Sequence, residues 1–103
     1  EKAAAALQNL SGNNADNKVA IAKEGGLKPL IALLTSGTPV AKEKAAAALQ
    51  NLSGNNADNK VAIAKEGGLK PLIALLTSGT PVGKEKAAGA LWNLSANNAD
   101  NKV

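Results

Sequence analysis

Leu27, Leu30, Ile31 and Leu34 recur at i, i+3, i+4 and i+7, the spacing that lines apolar side chains along one stripe of an α-helix. Chain-breaking residues bound the stripe, with Gly25-Gly26 before it and Ser36-Gly37-Thr38-Pro39 after it. The pattern therefore predicts a helix over 27–36, with Pro29 tolerated in the first turn because the N–H it lacks would have no partner there. A shorter helix precedes it. The polar run Asn13-Asn14-Ala15-Asp16-Asn17-Lys18 leads into Val19-Ala20-Ile21-Ala22. Asn14 suits the N-cap, Asp16 and Lys23 suit the positive and negative ends of the helix dipole, and Gly25 suits the left-handed residue that stops it. A third and longer helix follows over 39–53, capped by Thr38 and started by Pro39, whose fixed φ is already helical. Its Ala45, Ala48, Leu49 and Leu52 share one face, where small and large residues alternate, so a neighbour can nest at the short end of the ~8–10 Å range for packed helices. Gln50 is expected to point away from that face. Asn51 falls on its flank, with Ala47 and Lys44 one and two turns before it.

This pattern is one unit written about two and a half times. Residues 1–42 match 43–84 at every place but one, Ala41 against Gly83. Residues 85–103 match 1–19 with three changes: Gly89 for Ala5, Trp92 for Gln8 and Ala96 for Gly12. Three helices with breaks between them cannot bury their faces alone, so the units must stack into a solenoid, and a 42-residue period lies in the armadillo and HEAT range. Near-identity exceeds what stacking demands and reads as recent duplication or consensus design. The expectation is a single domain over 1–103, with a partial unit at 1–12, full units at about 13–54 and 55–96, and the truncated start of a further unit at 97–103.

Composition narrows the chemistry. The 103 residues carry a net charge of +4, all twelve basic residues are Lys, and Trp92 is the sole aromatic. Lys spread among acids, without Arg forks or stacking aromatics, reads as a solvated surface and not a nucleic-acid face. No apolar run approaches the length of a membrane span, and the first residues lack the apolar core of a signal peptide, so the chain reads as soluble. Without His or Cys, the recurring Ser residues have no base to activate them, and the carboxylates stand singly beside Lys. Enzyme chemistry and cofactors are thus not expected. Gly79-Thr80-Pro81-Val82-Gly83-Lys84-Glu85 is one residue short of a phosphate-binding loop, has Glu where a hydroxyl should reach magnesium, and follows a helix where a strand is needed. Asn13–Asn17 lacks the Gly and distant Glu of a calcium loop, which leaves helix capping as its reading.

The string Lys86-Ala87-Ala88-Gly89-Ala90-Leu91-Trp92-Asn93-Leu94-Ser95, with Asn-Lys-Val-Ala-Ile-Ala-Lys-Glu-Gly-Gly-Leu and Pro-Leu-Ile-Ala-Leu-Leu in the preceding units, resembles an armadillo repeat of the β-catenin-related kind. The resemblance spans the whole chain and matches all three helices in order. It implies an all-α, right-handed armadillo-type superhelix whose third helices line a concave groove, and a non-enzymatic scaffold that binds an extended peptide or protein segment. An Asn near the end of each third helix holds the peptide backbone in that family, and the matching positions are Asn9, Asn51 and Asn93. Lys44 and Lys86 share their stripe, while Gln50 and Trp92 lie beside it, which completes the candidate binding set. The pattern departs from members that bind nuclear-localisation peptides, which often carry Trp one turn before the Asn. Here Ala5, Ala47 and Gly89 stand there, so pockets for long basic side chains are missing and acidic or mixed-charge peptides are the expected ligands.

Two readings remain for the Asn ladder: peptide recognition, or bonds to a neighbouring repeat's backbone that hold units in register. A structural or self-assembling module is accordingly the alternative function. Trp92 reads either as a groove aromatic or as a consensus residue retained in one copy. Leu7, Leu10, Leu91, Leu94 and Val103 lack the neighbours that their counterparts have, so head-to-tail self-association is a further expectation.

Overall fold

The computed structural model describes Ala6, residues 15–54 and residues 56–96. Six helices follow in order: α1 (Ala15–Lys23), α2 (Leu27–Ser36), α3 (Pro39–Ser53), α4 (Ala57–Lys65), α5 (Leu69–Ser78) and α6 (Pro81–Ser95). There is no strand among the described residues, and the architecture is an all-α stack of two three-helix units.

Each boundary has a local cause. Asn56 Oδ1 accepts the backbone N–H of Asn59 at 2.9 Å and caps α4, with Asp58 in its first turn and Lys65 in its last. Asn14, the counterpart of Asn56, lies outside the described residues. Gly25 and Gly67 close α1 and α4 at φ 81° and 86°, a conformation that costs any side-chain-bearing residue about 1–2 kcal/mol. Gly26 and Gly68 follow for a different reason: a Cβ on Gly68 would stand 2.7 Å from Ile63 Cγ2 and 3.0 Å from the Ile63 carbonyl oxygen. Thr38 and Thr80 cap α3 and α6 by accepting the N–H groups of Ala41 and Gly83 at 3.1 and 3.0 Å.

Stacking of one three-helix unit on the next makes the core. The largest interface sets α3 against α6, and within each unit α2 packs on α3 and α5 on α6. Leu30, Leu49, Leu52, Ile63, Leu72 and Leu94 are among the largest fully buried side chains. The alanines of α3 let helices approach closely, and burial extends round a wider arc than the expected face, taking in Ala41, Ala46, Ala47 and Ser53 as well. The reason is that α3 has neighbours on two sides, α2 in its own unit and α6 in the next.

Polar bonds fasten the units as well. Glu43 of α3 accepts the Thr80 hydroxyl proton while that hydroxyl accepts the Gly83 N–H, so one unit's third helix braces the start of the next. Thr80→Ala removes both bonds and is expected to cost about 1–2 kcal/mol, near the upper end for a helix cap. Thr80→Ser, which keeps the hydroxyl, should retain most of that stability. Urea midpoints of the two variants check this, and equal losses would show that the hydroxyl is not what matters.

Candidate groove on the third helices

Lys44 and Asn51 are seven residues apart on α3, and Lys86 and Asn93 repeat the spacing on α6, so each pair lies two turns apart along one helical face. α3 packs beside α6, and the Asn93 amide reaches the carbonyl of Gln50, the residue before Asn51, across the unit boundary. All four side chains are half-buried. Asn9, the third member of the ladder, lies outside the described residues.

Asn93 is already at work. Its Nδ2 donates to the backbone carbonyl oxygen of Gln50 in the preceding unit at 2.9 Å, a bond between residues 43 apart in sequence. The same carbonyl accepts Ser53 Oγ at 3.0 Å. Asn51 is likewise not without a partner. An amide offers two N–H donors and a carbonyl acceptor. Among the described residues, the second N–H and Oδ1 of Asn93 remain unused.

Gln50 departs from its expected orientation away from the core. It is half-buried and leans across the unit boundary, so that a Cβ added to Gly89 would collide with Gln50 Nε2 and lie 2.8 Å from its Cδ. A side chain pointing off the exposed side of its own unit meets the next unit, which a single-helix reading leaves out. The consequence reaches the groove. Gly89 lies one turn before Asn93 on α6, and the space above it is covered by the Gln50 amide. Trp92, the counterpart of Gln50 on α6, is 74% exposed.

Two residues that repay attention escaped the pattern reading. Asn59 is buried on α4, and its Nδ2 donates to the Leu52 carbonyl at 2.9 Å and to the Lys18 carbonyl at 3.2 Å, both in the preceding unit. Lys60 beside it is buried too, with Nζ on the Ala96 carbonyl at 2.9 Å just past the end of α6. Lys18 makes the equivalent bond to Gly54 at 3.1 Å past the end of α3. These lysines therefore close each unit by placing a cation on the last carbonyls of the third helix, where the dipole is negative. The signal was present: Asn59 and Lys60 stand four and three residues before Ile63, on the side of α4 that Ile63 buries.

Among the described residues no group of three or more acidic residues is placed to hold a metal ion, and His and Cys are missing from the sequence. No described helix is long and apolar enough to cross a membrane. The glycine-rich segment 79–85 is the capped start of α6, with the Gly83 N–H already bound by Thr80.

A protein-family model described as armadillo/beta-catenin-like repeat matches residues 14–54 and again residues 56–96. Comparisons with curated proteins and with solved structures gave no match.

Proposed function

The chain belongs to the armadillo/β-catenin-like repeat family, whose repeats generally serve as protein-binding scaffolds, and we propose that its third-helix stripe binds an extended acidic or mixed-charge peptide. Asn51 and Asn93, continued by Asn9, hold the peptide backbone, while Lys44 and Lys86 receive its carboxylates. Gln50 and Trp92 form the border of the stripe. The scaffold acts without catalysis or cofactor.

One observation supports this reading above the others: half-buried Asn93 spends one N–H on the neighbouring unit and keeps a donor and an acceptor for a peptide group. The bond to Gln50 fixes the amide, so little side-chain entropy is lost when a ligand arrives. Charge favours an acidic partner. Glu43 is turned onto Thr80, which ties that carboxylate to the start of α6 and leaves Lys44 as the neighbouring charge on the stripe.

Amide NMR titration of the full chain with oligo-Glu, mixed-charge and oligo-Lys peptides is the test. The expected result is shifts confined to the neighbourhood of Asn51, Asn93, Lys44 and Lys86, larger for the acidic peptide and fading as salt shortens the Debye length from ~10 Å at 0.1 M. Tighter binding of oligo-Lys would overturn the charge assignment. The Asn93–Gln50 bond also favours a second reading, in which the ladder serves only to hold units in register and the chain is a structural or self-assembling module. That reading expects no shifts with any peptide.

A further inference from the structure

Gly89 stands in the interior of α6, at the place where α3 has Ala47. A glycine inside a helix weakens it relative to alanine, because more backbone freedom is lost on folding. Backbone conformation does not call for it, since the positive-φ glycines of the described residues are Gly25 and Gly67. Close approach does. A Cβ at residue 89 would collide with Gln50 Nε2 and stand 2.8 Å from its Cδ and 3.4 Å from its Cγ. The end of the Gln50 side chain thus rests against α6 on a seat that exists because residue 89 has no side chain. Lys86, Gly89 and Asn93 follow one another along one face of α6, at steps of three and four residues. Gln50 borders the stripe of α3, yet its amide lies on the stripe of α6, between Lys86 and Asn93.

We propose that Gln50 and Asn93 form a two-amide site that takes an amide group of the ligand, with Gly89 as the positioning residue that seats the Gln50 amide. The proposal rests on the peptide-binding reading above and names what the middle of the stripe recognises. Two observations carry it. Among the described residues the half-buried Gln50 side chain forms no hydrogen bond, so its two N–H donors and its acceptor are open to a ligand. Asn93, one helical turn or ~5.4 Å along α6, is held by its bond to the Gln50 backbone carbonyl and keeps a donor and an acceptor of its own. An amide fits this pair because it presents an N–H and a C=O together and so matches a carboxamide in either orientation. A carboxylate offers no donor to Gln50 Oε1 and is better received by Lys86. Peptide backbone and the side chains of Asn or Gln both carry the required group.

NMR of the full chain tests this, first without ligand, then with an oligo-Glu peptide, whose amides are all in its backbone, and with a peptide of alternating Glu and Gln. In Gly89→Ala the new Cβ meets the far end of a flexible side chain, so the helical circular dichroism is expected to stay unchanged while the side-chain NH2 signals of Gln50 move toward those of a solvated amide. Peptide binding is expected to weaken about two- to tenfold, the span that one net hydrogen bond corresponds to. Gln50→Ala keeps the backbone carbonyl that Asn93 uses and should weaken binding by a similar factor. The double variant should bind no more weakly than either single one, because both changes remove the same contact. Equal weakening for the two peptides assigns the bound amide to the backbone, and weakening confined to the Gln-containing peptide assigns it to a side chain. Gln50 signals that stay in place in Gly89→Ala, additive losses in the double variant, or parent-like binding in either single variant overturn this inference and leave the peptide-binding reading standing. Absence of binding by the parent chain overturns both.

Discussion

Leu34→Ala lowers the free energy of unfolding by about 2–5 kcal/mol, whereas Leu76→Ala, the same change in an identical decapeptide, lowers it by about 1 kcal/mol or less. Leu34 is 2% exposed and Leu76 is 40% exposed, although both sit in Leu-Lys-Pro-Leu-Ile-Ala-Leu-Leu-Thr-Ser. Truncating Leu34 removes buried carbons and leaves a cavity between α2, α3 and the next unit, and that cavity relaxes only in part. Truncating Leu76 removes carbons that water already reaches, with no cavity term. Helix propensity contributes nothing to the difference, since the local sequences are the same. Urea midpoints of the two variants at low protein concentration give the comparison, and equal losses would mean that stacking does not set the core.

Asn59→Leu is the second large effect. The substitution keeps the number and branching of the heavy atoms but withdraws the donor shared by the Leu52 and Lys18 carbonyls. The buried Leu52 carbonyl loses this partner at a cost of about 1–3 kcal/mol, whereas the Lys18 carbonyl stays inside α1, so a loss of about 1–3 kcal/mol is expected. The location adds a second readout. Both carbonyls belong to the unit before α4, so the bonds cross a unit boundary, and in a repeat stack the coupling across boundaries is what makes unfolding cooperative. Asn59→Leu should therefore broaden the thermal transition as well as lower its midpoint. Asp58→Asn, one residue away at an exposed position, should leave the breadth unchanged and lower the midpoint only by the loss of its first-turn charge, about 0.3–1 kcal/mol. A sharp transition at the parent midpoint would show that this clamp is dispensable.

Helix ends were legible because each rests on chemistry within a few residues. Thr before Pro caps α3 and α6, Gly with positive φ stops α1 and α4, and the expected spans 27–36 and 39–53 are those of the folded chain. The candidate site was legible only as positions on a helix. That Lys44 and Asn51 share a face follows from spacing alone. That the Asn93 amide reaches the Gln50 carbonyl does not, because the two residues meet only when α6 lies against α3. The Gln50 side chain over Gly89 and the Thr80 hydroxyl on Glu43 were out of reach for the same reason. Lys60 illustrates a different failure: charge composition reads Lys as solvated, yet a cation can be buried where helix-end carbonyls receive it.

By itself the sequence determined the helices, their order, their caps and the period at which they repeat, since all of these are set by interactions a few residues long. Which side of each helix is covered was decided only by the tertiary structure. Ile31 is 9% exposed and Ile73 is 55% exposed with the same neighbours along the chain. Ala46 is buried and Ala88 is exposed in helices of nearly the same sequence. A residue's propensity and periodicity are properties of its own segment, while its burial belongs to whatever stacks upon it. In a solenoid of like units, that is a matter of place in the row.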